Sequence, residues 1–146
     1  MPNENDVDQL VERCREAAVA LIRGDARRYA ELISHADDYT LFPPFGGPAR
    51  RGFDSSPEAL AQLARFFEGG EAEIELVQSY SSGDLVVLVL IERQHGEIGG
   101  LPDQDWSLRV TWVFRREPAG WQLVHRHADP LTHTIEVEAG ARIARG

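Results

Sequence analysis

Two patterned apolar runs joined by a very short break constrain this chain more than anything else in it. Leu108–Arg116 (LRVTWVFRR) and Trp121–Ala128 (WQLVHRHA) flank Glu117-Pro118-Ala119-Gly120. β-Branched and aromatic residues alternate with polar ones, and the Pro/Gly break has room only for a turn, so the stretch predicts a β-hairpin. Residues opposed across an antiparallel pair share a face. With Val113 opposite Leu123, Thr111 meets His125 and Arg109 meets His127, and Asp129 lies just beyond. This face then runs from apolar to ionisable, while the other carries Val110, Trp112, Phe114 and Val124. A sheet with Trp and Phe on one side and an Arg/His/His/Asp ladder on the other is expected to be covered on both. A one-residue slip exchanges the faces and makes Trp112 and Phe114 the core.

The rest of the chain supplies the covering. From Asp6 to Arg23 the apolar residues fall at three-four spacing (Val7, Leu10, Val11, Cys14, Ala17, Ala18, Leu21, Ile22), which predicts an amphipathic helix. Gly24 ends it, and Asp25 caps a second, short helix through Ile33. Asp37–Phe42 reads as a strand stopped by Pro43-Pro44, and Pro43–Ser56 as an irregular loop expected to fold over something apolar. Ser56-Pro57-Glu58 opens a third helix with a core face of Leu60, Leu63, Ala64 and Phe67, closed by Gly69-Gly70. Ala72–Tyr80 alternates as a strand, and the unbroken run Leu85–Ile91 predicts a strand buried on both faces, continued by Glu92-Arg93-Gln94-His95. After Leu131 the pattern weakens; Thr132–Val137 is placed as an edge strand and the rest as a mobile tail.

Three helices in the first half and a meander in the second predict an α+β layer fold, one domain over residues 1–146, with a curved antiparallel sheet wrapped around the helices as a cone. The Gly24-Asp25-Ala26 junction, the DDYTLFPPFGG strand and loop, and the closing WQLVHRHADP strand resemble the nuclear transport factor 2-like superfamily, and within it the SnoaL-like and ketosteroid isomerase-like bacterial proteins. The closing Trp…His-x-His pattern is also similar to the association domain of calcium/calmodulin-dependent protein kinase. The resemblance implies a cystatin-like α+β cone with a small-molecule pocket, commonly a homodimer through the outer sheet face. The chain departs from the family in two places. Ketosteroid isomerases place an acid-donating Tyr in the first helix region, whereas Asp6–Arg23 holds none and Tyr29 and Tyr39 are the nearest. SnoaL-like cyclases use a late Asp with a His partner, which Asp129 and His127 resemble with a different spacing around them.

Composition excludes some function classes. Asp+Glu 24 against Lys+Arg 15 gives a formal net charge of -9, the wrong sign for a phosphate-backbone footprint. No apolar run is long enough to span a bilayer, so neither nucleic acid nor membrane is an expected partner, and a cytoplasmic location is the expectation. The single cysteine cannot form an intrachain disulfide and is expected in the core.

The candidate site is the hairpin's ionisable face. Glu92 is expected beside Arg109, fixing its guanidinium so that it holds an anionic or carbonyl group. His127 or His125 moves a proton, with Asp129 as orienting group or base. Thr111 and Tyr39 complete the polar wall, and Phe45 and Trp106 line the mouth. The same Glu–Arg–His network also reads as structural satisfaction of polar groups at a sheet end. His125-x-His127-x-Asp129 offers three metal-ligand types on one strand, but no second element supplies a firm further ligand, so no metal and no cofactor are expected. The expected function is a small-molecule pocket, either a cofactor-free acid/base isomerase, cyclase or dehydratase acting on a small carbonyl compound, or a non-catalytic binding or dimerisation module of the same fold.

Overall fold

The computed structural model describes residues 3–146, and its element order follows directly from the local signals. Helix α1 spans Glu4–Ile22; Asn3 caps it, its side chain accepting from the Asp6 amide while the Asp6 carboxylate accepts from the Asn3 amide. Gly24, at φ +83°, turns the chain into α2 (Ala26–Leu32), where the Asp25 side chain accepts from the Arg28 amide. A Cβ at residue 24 would meet the Phe67 carbonyl oxygen at 2.6 Å, so both the turn and the close packing require glycine. Then follow β1 (His35–Phe42), the two-residue β2 (Arg50–Arg51), α3 (Pro57–Phe66), β3 (Phe67–Ser82), β4 (Leu85–Ile98), the two-residue β5 (Gln104–Asp105), β6 (Leu108–Glu117), β7 (Gly120–Pro130) and α4 (Val137–Arg145).

The seven strands form one sheet in the order β2-β1-β7-β6-β4-β3, with β5 on β4. All pairings are antiparallel except β1 with β7, which is parallel, as the intervening helix and meander permit. The sheet curves around α1 without closing, and the core lies between them: Leu10, Cys14 and Ala17 of α1 against Val86, Leu88, Leu90, Val110, Trp112 and Phe114. The apolar run of β4 is divided as a doubly covered strand requires, with Val86, Leu88 and Leu90 wholly buried inside and Val87, Val89 and Ile91 half-buried outside.

Several expectations are corrected here. The hairpin is present, but Val113 pairs with His125, Thr111 with His127 and Arg109 with Asp129. A bulge at Val124 sets Leu123 opposite Phe114, so Leu123 faces inward and does not share a face with Val113. The faces are also exchanged: Val110, Trp112 and Phe114 are the core and not an outer interface. Burying two large aromatics outweighs burying Thr111 and Val113, and that decides which side meets the helices. Phe67 opens β3 and no longer belongs to α3, and α3 has no buried residue. Residues 132–136 form no strand; the tail instead carries α4. No helix among the described residues is long and apolar enough to cross a membrane.

Candidate active site

The exchanged faces place the ionisable ladder on the convex side. The side chain of Arg109 is 64% exposed and its Nε donates to Asp129 at 2.6 Å. The Asp129 hydrogen bond raises the Arg109 pKa. His127 lies 3.8 Å from Asp129, and His125 Nδ1 is 2.8 Å from Thr40 Oγ1. Phe42 meets both rings edge-on, 5.5 Å from His125 and 5.2 Å from His127. Thr111 sits half-buried between them. Arg109 is therefore held by Asp129 and not by Glu92, because Glu92 shares the inward parity of Val86, Leu88 and Leu90.

Glu92 has a different partner, one the sequence reading passed over. Arg126 follows the bulge on β7 and points inward, opposite Trp112 in the ladder. Its Nη2 donates to Glu92 Oε2 at 2.6 Å, with side-chain exposures of 12% and 5%, and its guanidinium lies over the Trp112 ring at 5.0 Å. Burial pulls the Arg126 pKa down, but the Glu92 carboxylate beside it pushes it up, the net direction is upward, and the group stays charged. The signal was present in the sequence as one acid and one base on otherwise apolar inward positions of β4 and β7, the two strands that flank β6.

Around this pair the interior is polar but incompletely satisfied. Burial pushes the Cys14 thiol up, and the nearby Glu92 charge adds to it. Burial likewise raises Tyr29 and Tyr39, so all three stay protonated. Burial lowers His35 to about 4, leaving a neutral imidazole at the start of β1. That ring stacks on Phe53 at 3.9 Å and meets Tyr39 edge-on at 4.6 Å. Among the described residues three buried side-chain nitrogens have no hydrogen-bond partner: Arg126 Nε, Trp112 Nε1 and His35 Nε2. Unpartnered buried polar atoms are rare in folded proteins, so each of these three calls for an explanation.

His35 also faces the surface side. A cleft of about 320 Å³ is lined by Ile33, Ser34, His35, Phe53, Ser55 and Gln122. A second cleft, of about 540 Å³, lies at the other side of the sheet against Arg23, Glu73, Arg93, His95 and Asp105. There His95 bonds Asp103 at 2.9 Å, away from the interior pair. At the open end of the cone, Phe45 of the 43–56 loop packs on Trp106 at 5.9 Å and on Phe66 at 6.3 Å. Trp106 Nε1 donates to the Gly96 carbonyl. Of the residues singled out from sequence, the structure buries Glu92 and Tyr39 in the interior and packs Phe45 on Trp106. It sets Arg109, Thr111, His125, His127 and Asp129 together on the outside.

Fold and site now have relatives to be set beside. The profile of the SnoaL-like domain matches residues 10–131. The chain belongs to the SnoaL-like family. Among solved structures, this SnoaL-like chain is similar to a candidate dehydratase of the NTF2-like family from Streptomyces avermitilis, with 22% identity, a TM-score of 0.71, and 90% of this chain and all (100%) of that one covered. It is similar to a cystatin-like domain from Nostoc punctiforme at 15% identity, TM-score 0.68, covering 99% and 95% of the two chains. An NTF2-like superfamily protein from Salmonella enterica matches at 18% identity, TM-score 0.63, covering 90% and 94%. No curated protein matches the SnoaL-like sequence. At these identities the neighbours establish the α+β cone and leave chemistry to the residues.

Proposed function

We propose that this SnoaL-like protein binds a small, ring-sized carbonyl compound in the cleft at His35 and Phe53, backed by Tyr39, Arg126 and Glu92, and moves a proton on it without a cofactor. The observation that carries this reading is a set of three buried nitrogens without protein partners among the described residues, two of them, Arg126 Nε and Trp112 Nε1, at the buried ion pair and the third, His35 Nε2, on a ring that packs on Tyr39. Arg126 Nε–H and Trp112 Nε1–H are donors suited to a carbonyl or enolate oxygen, which gains charge as a proton leaves the neighbouring carbon. Glu92 holds the guanidinium in place and is the interior carboxylate available as base. Neutral His35 and protonated Tyr39 offer an acceptor and a donor at the surface side of the same cluster. A volume of about 320 Å³ lies at the lower end of small-ligand pockets. Isomerisation, cyclisation and loss of water all proceed through such an enolate, so the reaction class is one of these three. One buried, unpaired thiol suits a cytoplasmic setting.

A second reading, a non-catalytic dimerisation module, is favoured by the outer face, where Val87, Val89, Ile91 and Val113 form a half-buried apolar strip. The two are compatible, since a second copy seated on that strip leaves the interior untouched; we propose a homodimer formed this way.

The experiment is a panel of cyclic enones and β-hydroxy ketones incubated with the protein in deuterated buffer and followed by NMR. Isomerisation, water loss or α-proton exchange in the wild type, lost in Arg126→Met and Glu92→Gln but kept in His127→Ala, supports the reading. Activity that survives in Arg126→Met and disappears in His127→Ala contradicts it and moves the site to the convex face.

A further inference from the structure

Helix α4 is the one long element of the structure without a seat. None of its residues is buried; Val137 is 84% and Ile143 73% exposed. At 100° per residue, Glu138, Arg142 and Arg145 line one side, while Val137, Ala141 and Ala144 share the other with Ile143 at its flank. A nine-residue helix is shorter than the roughly 12–15 residues that hold a helix together in water, and no side chain caps its start. Such a segment needs a surface to lie on.

The molecule carries a surface of matching chemistry. Strand β3 is the last strand of the sheet, 16 residues long, with one edge unpaired. On its outer side Tyr80 is 60% exposed, beside the half-buried Val87 on β4. Toward the other end of the same side stand Glu71, Glu73 and Glu75. Arg93 pairs with Glu75 and His95 with Glu71, whereas Glu73 has no ion-pair partner among the described residues. Arg142 and Arg145, in the last turn of α4, have none among the described residues either. On the sheet, exposed Tyr80 beside Val87 and the unpaired Glu73 match, in apolar character and in charge, the apolar side and the two unpaired arginines of the helix. An edge strand of this length invites another chain unless covered.

We infer that α4 is an arm that docks against the outer side of β3 on a second copy of the chain. The tether gives the arm reach: Leu131 is tied back by its amide to the Ser107 carbonyl, and residues 132–136 then span up to about 17 Å of free chain. Within a single chain the arm stands off the sheet, as the exposure of Val137 and Ile143 records. The net charge of -9 makes an anionic lipid surface the poorer occupant. The inference rests on the dimer proposed above, and adds which segment crosses between copies and what receives it.

The test uses full-length protein carrying Tyr80→Cys and Val137→Cys, the end of the helix away from Arg142 and Arg145, oxidised mildly and run on a non-reducing gel; Cys14 is buried and does not interfere. Sedimentation of the unmodified protein is measured alongside. An interchain disulfide in a protein that sediments as a dimer is the expected result. Arg142→Glu with Arg145→Glu should weaken the dimer about tenfold or more, and adding Glu73→Arg should restore part of that loss. An intrachain disulfide overturns the second copy as occupant. A dimer without any disulfide overturns the arm and leaves the dimer standing; a monomer with no disulfide overturns both.

Discussion

Arg126 and Glu92, 34 residues apart in sequence, meet at 2.6 Å inside the cone with the Trp112 ring beneath the guanidinium. Two charges so far from water hold their place only as a pair. Removing one strands the other, which costs about 3–5 kcal/mol, whereas exchanging both for apolar residues of similar volume is close to neutral. Glu92→Ala should therefore destabilise far more than the double variant Glu92→Leu with Arg126→Met. Urea denaturation checks this; a single substitution costing less than about 0.5 kcal/mol would mean the pair is solvated.

The choice of faces on the hairpin is testable in the same way. Trp112→Ala should cost about 3–5 kcal/mol as a core truncation, and His127→Ala, on the convex side, no more than about 0.5 kcal/mol. Reversed magnitudes would restore the ladder to the interior.

That choice also marks how far the sequence could be read. Periodicity was enough for α1, α2, the hairpin and the doubly covered β4, because each is fixed by local spacing and by caps such as Asp25 and Ser56. The bulge at Val124 has no local signature: Val124 is as β-prone as its neighbours, and only the packing of Leu123 against Phe114 on one side of it and Arg126 against Glu92 on the other requires the extra residue. Without it, alternation sets Leu123 and His125 on one face, and the ionisable residues look convergent. The parallel pairing of β1 with β7 was out of reach for a similar reason, since it joins residues some 85 positions apart, as in Thr40 and His125. Arg126 stands between two histidines on an evenly alternating strand, and nothing local marks it as the inward residue of the three.

His35 gives the fold a pH dependence of defined sign. It titrates near 6.5 in the unfolded chain and at about 4 in the fold, because burial disfavours its charged form. Between those values the unfolded state binds the extra proton. Stability is thus complete above pH 6.5, declines as pH falls through the window, and has lost roughly 2–3 kcal/mol by pH 4. His95 acts in the opposite sense: Asp103 raises its pKa, so its contribution is present below 6.5 and lost as pH rises through the raised value. Replacing His35 by Phe, which keeps the stacking on Phe53, should flatten the slope between pH 4 and 6.5 in urea melts at stepped pH. An unchanged slope would assign the window to another group.

Cys14 reports on the closure of the interior. Its thiol is wholly buried and its pKa raised by that burial, so a disulfide reagent should find it unreactive in the native state. Phe53→Ala, which removes the stack on His35 at the cleft, should speed labelling about tenfold. Labelling of the wild type at the rate of a free thiol would mean that the cone is open.

The central claim is that a ligand meets the unpartnered nitrogens of the interior, and NMR of those groups in the intact protein tests it most directly. Titration with the carbonyl panel should shift the Arg126 Nε–H and Trp112 Nε1–H resonances together, saturably, and leave the His125 and His127 rings unmoved. Shifts confined to the convex-face histidines, or none in any of these groups across the panel, would contradict it.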